Sequence, residues 1–595
     1  MLTRTIPTLI VVAFAATLAA QESSSARLDR FFTSFTDEWM RYDTDLGADT
    51  RYLAGAELDD ASRRLRPETA EWRLDRAKLA ERGLRELRSL DRTSWTEAQL
   101  VSADVMENRL EVVVKAEEFA DFDFPLVQSY GRPTRILQRM TVGHAIATPR
   151  DAENYVARLS FVSRRVDEAL REAQRLIGRR MIPPRFIVEA SLREMRGFIT
   201  PDARENVLVS TFATKMKQVS GLEVGTQQKL RDEAERIVRS EIYPAWNRAI
   251  AVLDPLMGQA SNDPGLWRLP RGGDAYAFLL RASTTTDMTA DQIHETGLKL
   301  EAEIDREMDR VLRELGHTEG TVRQRYDAFL TKQPTFPATE QGAADYRADI
   351  DNTIADGWKR TGALFDKLPK APVVAEPYPT FFGSRAASYL APSSDGSRPG
   401  TFQFTLQAGA RKFSRSSIYH ETVPGHHMQL ALEMENGSLP RWRQVGAFGF
   451  TSASTEGWAL YAEQLVAETG WYEGDLAGLL SQLQRKQFRA RRLVADTGLH
   501  AKRWTRQQAV DYLGPALETA DAASEVDRYV VTPAQACSYM IGALRILELR
   551  ERAKRELGAG FSLKAFHDVI LDAGTVPLDV LDRVVDRWIQ RSRPV

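Results

Sequence analysis

Residues 420–427 read His420-Glu421-Thr422-Val423-Pro424-Gly425-His426-His427, and the stretch Thr455-Glu456-Gly457-Trp458-Ala459-Leu460-Tyr461-Ala462-Glu463 follows them. Two imidazoles close in sequence, an adjacent carboxylate and a second carboxylate on a later helical stretch are the parts of a catalytic zinc site with two histidines and one glutamate. Such a site leaves one coordination position for water. The expected cofactor is Zn2+ and the expected chemistry is hydrolysis.

Histidines at i and i+4 lie one above the other on a helix, which is why zinc protease helices carry H-E-x-x-H. Here position i+4 is Pro424, which cannot donate its N–H and clashes with the carbonyl four residues back, so the helix must kink or bulge after His420. On an unbroken helix His427, at i+7, would face the right way but sit about 10 Å further along the axis, too far for bonds of about 2 Å to one ion. If Pro424 and Gly425 absorb two inserted residues as a bulge, His426 takes the place of the usual second histidine. His426 is the expected ligand and His427 the alternative.

The Gly425-His426 pair matches the H-E-x-G-H form of angiotensin-converting-enzyme-like and Taq-carboxypeptidase-like families. Thr455 to Glu463 resembles the N-E-G-F-A-x-Y-x-E stretch of zinc aminopeptidases, a resemblance that implies Glu456 as third metal ligand. Together with Gln429, the segments resemble a bacterial family with the signature H-E-x-x-P-G-H-H-x-Q, usually described as a domain of unknown function with gluzincin character. Ser384–Tyr389, Asp395–Gly400, Arg492–His500, Pro533–Gly542, Phe566–Asp568 and Gly574–Leu578 extend the likeness over most of the chain, densest from Phe381 onward. The resemblance implies a zinc metallopeptidase. It implies a mainly α, multi-helix gluzincin-like fold with a small β-sheet beside the active-site helix.

The net charge of −2 and pI near 6.5 carry none of the basic excess that nucleic acid or an anionic membrane attracts. Arg4, the apolar run Ile6–Leu18 and Ala19-Ala20 follow the order of a secretory signal peptide. The chain is therefore expected to be exported, periplasmic or secreted, with no membrane span after removal of residues 1–20. Cys537 is the only cysteine, so no disulfide is expected.

Helical periodicity predicts long amphipathic helices over Arg63–Leu90, Ala152–Ile177, Gln227–Leu253 and Ala290–Leu315. The Pro- and Gly-rich stretch Asn262–Gly273 reads as a connection between an N-terminal helical part, 21–270, and a catalytic part, 271–595. Alternation over Pro399–Leu406 predicts a strand, read as an edge strand able to pair with an extended peptide.

In this scheme Glu421 is the general base toward the attacking water and then the proton shuttle to the leaving group. His500 and Tyr539 are the candidate donors to the oxyanion. Arg485, Arg489, Arg492, Asp496 and His500 fall on one helical stripe, and Glu463 is positioned to orient a ligand histidine. An arginine among Arg489, Arg492 and Arg545 could bind a substrate's C-terminal carboxylate, which makes a carboxypeptidase one form of the hypothesis. The expected substrate is a peptide or small amide. The competing readings are a catalytically silent peptide-binding protein and a zinc hydrolase of non-peptide amides or esters. His144, His294, His317 and His567 lack clustering partners in sequence and are read as structural or exposed.

Overall fold

The computed structural model describes residues 23–378, 387–393, 396, 398–406, 409–517 and 519–593. The expected signal peptide lies outside the described residues, as do 381–386 of the family-like stretch. The chain is mainly helical, and among the described residues it has one three-stranded sheet.

Local chemistry sets where the amphipathic segments begin and end. The helix expected over Arg63–Leu90 runs Ala70–Ser89, because Pro67 bars a helix continuing from Arg63 and the Thr69 hydroxyl caps the new start, accepting the Trp72 N–H at 3.1 Å. Ala152–Ile177 divides into Pro149–Leu159 and Val162–Gly178. Gln227–Leu253 passes through a π turn, Val238–Ile242, just before Pro244, a loosening of the ladder where proline supplies no N–H. Ala290–Glu314 forms a single helix, opened by a box in which Thr289 and Gln292 satisfy each other's backbone N–H groups.

The cores do not divide at residue 270. Leu28 to Phe119 pack in the same hydrophobic core as residues 266–589, while Phe124 to Ala260, joined by Leu65, form a second core. Helix Ser24–Tyr42 lies against the loop 441–450: the Trp39 indole N–H donates to the Ala447 carbonyl at 3.0 Å, and its ring is 5.0 Å from Phe448. The Pro- and Gly-rich connection is no free linker. Leu266 N–H donates to His500 Nδ1 at 3.2 Å, and Trp267 donates to the Leu499 carbonyl at 3.0 Å.

The site is carried by α1 (Ala290–Glu314), α2 (Glu340–Thr361), β1 (Val373–Pro377), β2 (Ser388–Leu390), β3 (Gly400–Phe404), α3 (Arg415–Glu421), α4 (His426–Glu435), α5 (Ser452–Glu468), α6 (Leu476–His500) and α7 (Gln535–Leu557). α1 packs along α6, and α5 along α7. The latter pair approach until backbones touch: a Cβ on Gly542 would lie 2.0 Å from the Ala453 carbonyl oxygen, and one on Gly457 would lie 2.6 Å from Gly542 Cα. These glycines are needed for the approach itself.

The sheet order is β1-β3-β2, with β1 parallel and β2 antiparallel to β3. The strand read as an edge is therefore the central one. Its aromatic residues Phe402 and Phe404 are fully buried with Tyr346, Ile350 and Ile418, and both its edges are paired. Among the described residues no single helix is long and apolar enough to cross a membrane; one pair, Asp521–Val531 and Gln535–Gly560, passes that test jointly but is bent by 93°.

Candidate metal centre

The Pro424 problem is solved by a full break rather than a bulge. α3 ends at Glu421, residues 422–425 turn through a cis Val423–Pro424 peptide, and α4 begins at His426. Gly425 N–H donates to the Tyr419 carbonyl at 3.0 Å, and His427 N–H to the Thr422 carbonyl at 3.1 Å. A Cβ on Gly425 would sit 2.0 Å from the His420 carbonyl oxygen, so only glycine fits there. The turn is held from outside by Trp458, whose indole N–H lies 3.0 Å from the Pro424 carbonyl and 3.2 Å from that of Gly425. Trp458 follows Glu456 by two residues, so the segment that brings the third carboxylate also fixes the angle between the two histidines.

His420, His426 and Glu456 converge, their nearest ligand atoms all within 4.8 Å of one another. Glu456 Oε2 is 3.3 Å from His426 Nε2 and 3.5 Å from His420 Nε2, yet it is buried without a hydrogen-bond partner among the described residues, as is His426 Nδ1. Bonds of about 2.0–2.1 Å at tetrahedral angles hold neighbouring ligand atoms about 3.3–3.4 Å apart, so these separations fit the edges of a coordination tetrahedron. These three residues form a donor set that could hold a metal ion.

His420 Nδ1–H donates to Glu463 Oε1 at 2.8 Å, which turns Nε2 toward Glu456. Ser416 donates to the other Glu463 oxygen, and Arg489 stands 3.6 Å from Oε1. Burial lowers the His420 pKa, but Glu456 and Glu463 outweigh it and raise the group to about 9. Burial would likewise raise Glu456, yet the two imidazoles hold it well below the usual carboxylate range. The cluster thus favours positive charge, which a proton or a metal ion can supply.

His427 is turned away. Its Nε2–H donates to the Ala371 carbonyl at 2.9 Å and its Nδ1 accepts from the Tyr389 hydroxyl at 2.8 Å. With both nitrogens engaged, and burial bringing its pKa down to about 4, it is a neutral tie between α4 and β2. This tie sets the sheet beside α4.

A cleft of about 1780 Å³ opens onto the cluster, lined among others by His420, Glu421, His426, Glu456 and Tyr539. Glu421 is buried and takes no hydrogen bond or ion pair among the described residues. The Tyr539 ring lies parallel to His420, within 12° and 6.4 Å between centroids. His500 does not join them. It is fully buried between Leu266 N–H and the Tyr529 carbonyl, 3.1 Å from its Nε2, and burial brings its pKa down to about 4. Asp496 accepts the Tyr276 hydroxyl at 2.6 Å and Ala534 N–H at 3.1 Å, anchoring the start of α7 three residues before Cys537 and five before Tyr539. Arg545 also lies elsewhere, paired with Asp582 and Glu548. What the sequence did not reveal are the supports: Trp458 on the turn, Tyr389 on His427, and Glu525, which accepts from Arg492 at 3.1 Å in the cleft wall. The adjacent histidines were the available signal that one of the two had another partner.

Nothing among curated proteins matches the chain. Of solved structures, it is similar to a protein of Colwellia psychrerythraea provisionally described as a lipoprotein, with 28% identity and a TM-score of 0.89 over 96% of this chain and 100% of that one. A second, from Shewanella oneidensis and provisionally described as a lipoprotein of unknown function, has 19% identity and a TM-score of 0.67 over 95% and 99%, a likeness of fold alone. With a match running from residue 43 to 585, the chain belongs to the family described as "Bacterial protein of unknown function (DUF885)".

Proposed function

We propose that this protein is an exported, zinc-dependent peptidase acting on small peptides, with His420, His426 and Glu456 as metal ligands. The observation that carries the reading is the convergence of two Nε2 atoms on one buried, otherwise unpartnered carboxylate oxygen at 3.3 and 3.5 Å. Export is supported by the signal-like N-terminus and by the lipoprotein description of the structural neighbours.

Bound zinc supplies Lewis acidity that polarises the scissile carbonyl and acidifies water. The chain's own residues do the rest. Glu421, unencumbered in the cleft, accepts a proton from the attacking water and returns it to the leaving amine. The Tyr539 phenol, neutral because burial raises its pKa, donates a hydrogen bond to the developing oxyanion. Glu463 keeps the Nδ1 proton on His420, so that Nε2 presents its lone pair to the metal.

Metal analysis of the purified protein tests the ligand set. We expect about one zinc per chain, lost in His420→Ala, His426→Ala and Glu456→Ala but kept in His427→Ala, whose ring serves the sheet. Retention of full zinc by Glu456→Ala would remove it as a ligand. Chelator-sensitive cleavage of a mixture of short peptides tests the reaction class, and turnover of ester or non-peptide amide probes alone would exclude a peptidase.

A further inference from the structure

Arg485, Arg489 and Arg492 occupy positions i, i+4 and i+7 of α6 and line the same cleft as His420, Glu421 and Tyr539. A polar stripe of this kind normally faces solvent, but from Gln487 onward α6 is buried on all sides. Charges taken out of water need partners, and leaving the N–H groups of a buried guanidinium idle is costly.

The partners fall short. Arg492 donates one N–H to Glu525 at 3.1 Å, while its Nε and Nη1 are buried with no partner among the described residues. Its guanidinium carbon lies over Tyr539, 4.6 Å from the ring centroid, and the same ring stacks on His420 at 6.4 Å. Arg489, 3% exposed, has only the 3.6 Å approach to Glu463, a carboxylate already serving His420 and Ser416, and its Nε and Nη1 are also idle. Arg485 forms no ion pair or hydrogen bond among the described residues. Burial first, and then Arg489, bring its guanidinium down to about 9.

Glu525 is shared with Arg528, 3.7 Å away; against burial, which raises it, Arg528 and Arg492 hold this carboxyl at about 2. Within 4 Å the four guanidiniums of Arg485, Arg489, Arg492 and Arg528 meet only the carboxylates of Glu463 and Glu525 among the described residues, while Glu421 and Glu456 act from further off. Arg485, Arg489 and Arg492 each keep unpartnered N–H groups and line the cleft.

Building on the peptidase reading, we propose that Arg485, Arg489 and Arg492 form a subsite for a carboxylate of the substrate, next to the bond that is cut. A carboxylate supplies the acceptor oxygens that these idle N–H groups lack, and the planar arginine forks suit it. Its source is either the free C-terminus of a peptide, which makes the enzyme a carboxypeptidase, or an acidic side chain beside the scissile bond.

Two measurements on the intact protein test this. The first needs no turnover: calorimetric binding of hippurate is compared with that of its neutral amide, in zinc-loaded and chelated protein. We expect the carboxylate to bind about tenfold tighter or better in both forms, and the preference to vanish in Arg485→Gln and Arg492→Gln with zinc content unchanged. Arg485→Gln removes a half-buried guanidinium that has no ion pair among the described residues, so its Tm should equal or exceed the parent's. Equal binding of the two probes, or a preference that disappears on chelation and survives in both variants, overturns the subsite.

The second measurement compares kcat/KM for free-C-terminal peptides, their C-amides, and C-amides carrying Glu or Gln. Preference for the free terminus identifies the α-carboxylate, and preference for Glu over Gln the side chain. Indifference to both sinks the subsite but leaves the peptidase. Absence of all cleavage with hippurate preference intact sinks the peptidase and leaves the subsite.

Discussion

Glu421→Gln is expected to hold about one zinc per chain and to turn over peptide substrate orders of magnitude more slowly than the parent. Glutamine keeps the size of the side chain and some of its hydrogen bonding but cannot accept a proton, so only the steps that move one are lost. Loss of a general base typically lowers rates by about 10²–10⁴-fold, and here one carboxylate serves both proton transfers. The substitution does not touch the three proposed metal donors, because Glu421 closes α3 with its side chain in the cleft. The fall should appear in kcat rather than KM, since an idle carboxylate contributes little to ground-state binding. Parental kcat in a zinc-loaded variant would show that Glu421 is not the base.

Gly542→Ala is expected to cost stability and activity together. The added Cβ would lie 2.0 Å from the Ala453 carbonyl oxygen and 2.8 Å from Gly457 Cα, both backbone atoms of α5. Neither can swing aside, so the two helices must separate, an overpacking that costs about 1–3 kcal/mol and in some cases more. Tyr539 lies one turn earlier on α7 and Glu456 beside Gly457 on α5, so separation also changes the distance between the phenol and the His420–His426–Glu456 cluster. Gly457→Ala approaches the same contact from the other side and should behave alike. Thermal unfolding and steady-state turnover check this, and a parental Tm for both variants would contradict the contact.

The helical character and the identity of the clustered residues were legible because periodicity and the His-Glu spacing are local signals. His420, Glu421 and His426 follow from one octapeptide, and the rejection of a straight helix follows from Pro424 alone. The failures concern partners distant in sequence. Pro399–Leu406 alternates as any half-buried strand does, and nothing within it tells of β1 and β2 on either side. His500 fell on the right stripe of α6, but the stripe continues past the cleft to where Leu266 and Tyr529 take both its nitrogens. The division at 270 followed real turn-forming residues, yet a turn marks where the chain bends and carries no information about which core it rejoins.

The contact between Trp39 and the Ala447 carbonyl spans 408 residues of chain. Helix Ser24–Tyr42 is synthesised early but finds its packing surface, Trp442 and Phe448, only after three-quarters of the polypeptide exists. Those aromatic residues belong to the stretch joining His426 to Glu456, two of the proposed metal ligands, so the geometry of the cluster rests on a helix far earlier in the sequence. Closure of so long a loop is slow and exposes apolar surface in the interval. Refolding from denaturant should therefore be sluggish and prone to aggregation. A fragment cut at residue 271 to isolate the centre would leave that loop without its cover.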